Sequence, residues 1–146
     1  MTNFALELYR QMVTSLKRGN TKGVFSNAKP IFLLSIIDYI PQMKEKNQFK
    51  WEVKEWQRIY EDLYKKMENS KTTPFWKPFY YMSSEPFYSL KWETMPTDKA
   101  LKFPSGKTLK DHLAYAQLDA ELWELLQEEE NRAYLRQCII NTYLTK

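Results

Sequence analysis

Cysteine, histidine, glycine and long apolar runs are what this 146-residue chain lacks most. Its one cysteine, Cys138, excludes an internal disulfide and any multi-cysteine metal site. Its one histidine, His112, leaves acid-base chemistry and zinc ligation short of partners, because a zinc site takes three or four protein ligands. Three glycines cannot build a phosphate loop: Gly19 and Gly23 lack a Gly-Lys-Ser/Thr element at the spacing that such a loop needs. The longest apolar run, Ile31 to Ile37, is interrupted by Ser35 and is far shorter than the roughly 20 residues that cross a bilayer. The N-terminal Met1-Thr2-Asn3-Phe4-Ala5-Leu6-Glu7 carries an acid and no small-residue cleavage site, so it does not read as a signal peptide. The expectation is a cytoplasmic protein that begins at this methionine, with no cofactor, no metal and no membrane partner.

Aromatic residues are abundant by contrast, with five Trp, ten Tyr and eight Phe. Rings in such number predict a core of large plates. Hydrophobic residues at 43% and charged residues at 27% are ordinary globular values. At this length one core suffices, so residues 1–146 read as a single domain. The net charge of +4 is unevenly spread. Lys and Arg predominate from Lys17 to Lys110, whereas Asp119 to Glu130 holds Asp119, Glu121, Glu124, Glu128, Glu129 and Glu130 and no base. One basic and one acidic face follow.

Periodicity predicts an α+β, mainly helical fold with five or six helices and one small hairpin. Asn3 caps a helix over 3–17, with Phe4, Leu8, Met12 and Leu16 recurring every fourth residue as its inner face. A polar loop over 19–26 leads to a second helix capped by Ser26 or Asn27, in whose first turn Pro30 is tolerated. That helix, Ile31 to Ile40, is apolar nearly all round and reads as central and buried. Gln48 to Trp51 reads as a short strand, and 52–68 as a helix packing Val53, Trp56, Tyr60, Leu63 and Met67. Residues 78–82 and 87–92 read as a β-hairpin joined by Ser83-Ser84-Glu85-Pro86. Ser105 caps a helix near 108–116, Asp119 caps another through Leu126, and a last helix spans about 131–144 with Leu135, Cys138 and Ile139 inward. Helix, helix and hairpin in that order are similar to a winged helix-turn-helix.

No catalytic arrangement emerges. His112 reads as a surface histidine, Cys138 as a small buried hydrophobe, and the acidic run as a solvated helix face.

Two segments together resemble a known family. Gly19-Asn20-Thr21-Lys22-Gly23-Val24-Phe25-Ser26-Asn27-Ala28-Lys29-Pro30-Ile31-Phe32-Leu33-Leu34 resembles the Ala-Pro-His-Lys-Pro-Leu-Leu-Leu-Leu signature of the sulfur-binding domain of McrA-type HNH restriction endonucleases. Pro78-Phe79-Tyr80-Tyr81-Met82 with Phe87-Tyr88-Ser89-Leu90 is similar to that family's Pro-Phe-x-x-Leu and Phe-Trp-x-Leu segments. Leu113 to Asp119, followed by Leu122 and Leu125-Leu126, looks like a third. The resemblance implies a domain of a bacterial restriction or defence system that binds double-stranded DNA whose backbone carries a phosphorothioate. Carried onto this chain, it implies DNA-backbone contacts from Arg18, Lys22, Ser26, Asn27, Lys29 and Lys77, and a sulfur pocket formed by Ala28, Pro78, Tyr80 and Tyr81. The chain departs from the pattern at Ser26-Asn27-Ala28, which replaces Ala-Pro-His, and at Lys77, where the family often has an aromatic residue. One histidine cannot build the HNH nuclease, so the chain is expected to read DNA while cleavage belongs to a nuclease partner or a longer polypeptide. The alternative is a non-catalytic protein-interaction module on the same scaffold, a homodimer among its forms, using the acidic helices or the rings of the hairpin.

Overall fold

The computed structural model describes residues 3–145. The reading of Met1 as the chain's start lies outside them. Among the described residues, eight α-helices and two two-stranded antiparallel sheets make an α+β, mainly helical fold. In order these are α1 (Phe4–Val13), β1 (Asn20–Thr21), β2 (Val24–Phe25), α2 (Ala28–Tyr39), α3 (Lys54–Met67), α4 (Trp76–Tyr81), β3 (Tyr88–Trp92), α5 (Asp98–Lys102), α6 (Gly106–His112), β4 (Leu113–Leu118), α7 (Ala120–Leu125) and α8 (Glu129–Ile139).

Helix α2 is the axis of the core, with Ile31 to Ile37 buried without a break. It packs against α3, α4 and α8. Phe32 sits among Trp56, Tyr60, Phe75, Phe79 and Tyr88, with ring centroids 5.4–6.4 Å away and most pairs tilted or edge-on. Such geometry matches the positive edge of one ring to the negative face of another. Ser35, the interruption in the apolar run, is fully buried and has a defined task. Its hydroxyl donates to the Phe32 carbonyl and accepts the Trp56 indole N–H at 2.9 Å. Burial without those bonds would be costly to both groups.

Helices α2 and α3 follow the sequence reading closely, whereas the helix expected near 108–116 runs only from Gly106 to His112. Ser105 caps α6 in a reciprocal box with Thr108. Elsewhere the structure corrects it. Helix α1 stops at Val13, where the Thr14 hydroxyl donates to the Arg10 carbonyl at 2.7 Å. Its buried residues are Tyr9 and Val13; of the expected series Leu16, beyond the helix, is buried and Met12 packs against the core, while Leu8 is exposed and Phe4 is 82% exposed. The loop over 19–26 contains the β1–β2 hairpin, whose turn places Lys22 at φ 53° and Gly23 at φ 83°, the two positive values that a tight primed turn demands.

The largest correction concerns residues 78–82, which are helical. Phe75, Phe79 and Met82 fall on one face at helical spacing and are all buried, a period hidden within an aromatic-rich run. Strand β3 forms as expected but pairs with β4, in the register Tyr88↔Leu118 to Trp92↔Leu113, with a bulge after Lys91. Residues 113–118 are therefore strand, where helix was expected for 113–116. The hairpin on which the winged-helix comparison rested does not form. Gln48 to Trp51 contributes one bridge, Phe49 to Ala116. Asn47 reinforces it by bonding both the Leu118 N–H and C=O, at 2.9 and 2.8 Å.

At the C-terminal end, Asp119 occupies the position before α7 but makes no capping bond, and instead accepts the Tyr9 hydroxyl at 3.0 Å. The last helix starts earlier than expected and widens into a π-turn at Ile140–Leu144. Leu135 and Ile139 are buried in it, while Cys138 is half-buried.

Candidate functional site

Helix α2 begins at the surface, and its first turn forms one wall of a cleft of about 460 Å³. The opposite wall is α4 with Ser84 just beyond it, and the rim is the chain from Lys17 to Gly19 together with Thr73. Arg18, Ser26, Ala28, Lys29, Lys77, Pro78 and Tyr81 all line this cleft. Residues far apart in sequence meet here because α2 and α4 pack side by side through Phe32 and Phe79, with ring centroids 5.9 Å apart. That contact carries Lys29 and Pro78 to facing walls.

Four cations, Lys17, Arg18, Lys29 and Lys77, line the cleft with no acid among the lining residues. Between them lie apolar surfaces: Ala28 and Pro78 are nearly buried, while Tyr81 is about half exposed. The arrangement presents a small apolar floor ringed by positive charge. Pro78 belongs to this floor as a residue of the first turn of α4, where its missing N–H has no intrahelical partner to lose.

Arg18 is held in place before any ligand arrives. Its guanidinium lies between the rings of Phe25 and Tyr143, 4.8 and 4.7 Å from their centroids, and donates to Asn27 Oδ1 at 3.1 Å. Asn27 is fixed in turn by donating to Glu68 Oε1 at 2.9 Å. The Tyr143 hydroxyl, pushed up from its ordinary pKa by burial, donates to the Val13 carbonyl and accepts the Leu16 N–H, both at 2.9 Å. A planar cation fixed on two rings keeps its remaining donors in a rigid fork, the geometry suited to phosphate oxygens. Lys29 is also fixed, by Glu85 at 2.9 Å and the Ser84 hydroxyl at 2.7 Å. Lys77 is exposed and rests near the Trp76 ring.

Three of the expected site residues do not line the cleft. Lys22 sits at the exposed tip of the β1–β2 hairpin. Asn27 stands behind Arg18 as its support. Tyr80 faces away, its hydroxyl donating to the Leu101 carbonyl at 2.9 Å and its ring lying 6.5 Å from Trp92. Sequence reasoning passed over Lys17, Thr73 and Ser84 in the lining and Glu85 behind it. Lys17 carried a signal, as a second base beside Arg18. A buried glutamate in a Ser-Glu-Pro turn carried none.

The hairpin rings on which the protein-interaction alternative would draw are mostly core: Phe79, Phe87 and Tyr88 are buried. His112 ends α6 with its Nδ1 2.8 Å from the Thr94 hydroxyl, away from the cleft. Among the described residues there is no cluster of three metal-ligating side chains, and no helix is long and apolar enough to cross a membrane.

No protein-family model matches the chain, and no curated protein matches it. The likeness to the sulfur-binding domain rests on the quoted residues alone.

Proposed function

We propose that the cleft between α2 and α4 binds the backbone of duplex DNA and that its apolar floor receives the sulfur of a phosphorothioate. The observation that carries this reading is the meeting, in one concavity, of Arg18, Lys29 and Lys77 with Ala28, Pro78 and Tyr81. Arg18, Lys17 and Lys77 are placed to contact phosphates on either side of the modified one, and Lys29 to donate at the floor. Sulfur is larger, more polarisable and less strongly hydrated than oxygen, so contact with Pro78, Ala28 and the Tyr81 ring costs it less desolvation. In this reading the chain reads DNA within a bacterial defence system, and any cleavage belongs to a nuclease acting in trans or on a longer polypeptide.

The reading is tested by titrating the protein with two duplexes of one sequence, with and without a phosphorothioate, at two salt concentrations. The expected result is tighter binding of the modified duplex, with log K falling against log salt by about 0.9 for each phosphate neutralised. Equal binding of the two removes the sulfur assignment. Absence of binding to both at low salt removes DNA reading and favours the protein-interaction alternative, for which exposed Phe4 and Leu8, one turn apart on α1, offer an apolar contact.

A further inference from the structure

Glu85 is the buried acid of this region, 4% exposed, and the cleft contacts described above give it no direct role with a ligand. It lies immediately after the turn that follows α4 and lines the neighbouring depression beside Leu8, Met12 and Lys17, so it approaches Lys29 from behind the cleft wall. The ion pair measures 2.9 Å, with side chains 12% and 3% exposed for Lys29 and Glu85. The same carboxylate oxygen accepts the Lys17 backbone N–H at 2.9 Å. Ser84 takes a further Lys29 donor at 2.7 Å. Lysine has three donors, so one remains for a ligand. Among the described residues, Lys17, Arg18 and Lys77 form no ion pair.

We propose that Glu85 sets the charge of the cleft: it holds Lys29 in a neutral pair, so Lys29 meets a ligand as a fixed hydrogen-bond donor while Lys17, Arg18 and Lys77 supply the net attraction. This rests on the DNA-backbone reading of the same site. Opposite charges in contact cancel at a distance, and their field falls off as that of a dipole. A floor without net charge attracts every backbone phosphate less, which leaves the apolar contacts to a poorly hydrated anion as the larger part of the binding. Glu85 is thus a positioning residue that tunes selectivity through Lys29. Its bond to the Lys17 amide also ties the rim that carries Arg18 to the end of α4.

Salt dependence separates this role from a structural one, because the slope counts charge neutralised at the interface. The experiment uses the full chain and a short duplex, with and without one phosphorothioate, titrated at several salt concentrations. Glu85→Gln is expected to tighten binding to the unmodified duplex, to steepen the slope by about 0.9, and to narrow the preference for sulfur. Glu130→Gln, the same charge change at an exposed position on α8, is the control and leaves the slope unchanged. Lys77→Met makes the slope shallower by about 0.9.

Replacing both partners of a buried pair by uncharged residues is often neutral for stability, so Lys29→Met with Glu85→Gln keeps the test open if the single variant fails to fold. That double variant is expected to bind more weakly at an unchanged slope, since a neutral pair has been exchanged for a neutral pair. A slope shallower by about 0.9 in the double variant, or a folded Glu85→Gln protein with the original slope, overturns the proposal. If Lys77→Met shifts the slope as expected in either case, only the role of Glu85 falls. If the wild-type chain binds neither duplex at low salt, the DNA reading and this inference fall together.

Discussion

Helices α2 and α4 each serve two regions that use neighbouring residues in opposite ways. Phe32 and Phe79 belong to a ring cluster from which water is excluded, whereas Lys29 and Pro78, three residues and one residue away, face an open cleft. The core is redundant, for Phe32 alone touches five other rings. The cleft is sparse: four cations and a few apolar surfaces, with Arg18 held by Phe25, Tyr143 and Asn27 and Lys29 by Glu85 and Ser84. Fold stability is thus concentrated in one region and the proposed recognition in the other, and the shared helices fix the distance between them.

The comparison breaks most visibly at Trp56. Trp56→Ala removes a fully buried indole in contact with Phe32, Phe49, Phe75 and Phe79. About 3–5 kcal/mol of stability should go with it, read as a lower urea midpoint, and a loss below about 1 kcal/mol would mean the cluster is not the stabilising region. Ser35→Ala, which orphans the Trp56 N–H, should cost about 1–3 kcal/mol in the same assay.

Alkaline pH strains the packed region through its tyrosines. Burial, then the hydrogen bond to the Asp119 carboxylate, pushes the Tyr9 hydroxyl from 10.0 up to about 12. Burial also raises Tyr60 and Tyr88. A pKa raised on folding means that the unfolded chain loses its proton first. The stability gained from neutral Tyr9 is therefore complete below about pH 10 and is lost as pH rises towards 12. Melting temperatures measured from pH 8 upward should hold and then fall across that window, and a flat profile would contradict the burial assigned to these rings.

Smaller effects distinguish the two neighbouring tyrosines. Tyr80→Phe gives up the bond to Leu101 and should cost about 0.5–1.5 kcal/mol while leaving duplex binding unchanged. Tyr81→Ala removes a half-exposed ring and should reverse the pattern, reducing the preference for a phosphorothioate with stability altered by about 0.5 kcal/mol or less. Exchanged outcomes would place the recognition surface on the other side of α4.

Much of this division is legible in the sequence, and the illegible parts have physical causes. The apolar run from Ile31, broken at Ser35, announces a buried helix, and Lys29-Pro30 before it announces a helix start. Both stand where expected. Residues 78–82 mislead because aromatic rings favour strands in general, while their spacing with Phe75 is helical and visible only when the window begins before Pro78. Residues 113–118 contain no β-branched side chain, and only pairing with β3 makes them a strand. Local preference points the other way and tertiary contacts prevail. The cleft was legible where the family likeness marks single residues. The direction of Tyr80 and the ion pair from Glu85 depend on how α4 rolls against α2, which no local pattern encodes.

The account is tested most directly by mapping amide chemical shifts as the phosphorothioate duplex is added. It predicts changes concentrated at Lys17 to Gly19, Ser26 to Lys29, Thr73 and Lys77 to Glu85, with the acidic helices α7 and α8 unaffected. Changes centred on α7, α8 or the exposed face of α1, with the cleft silent, would contradict it.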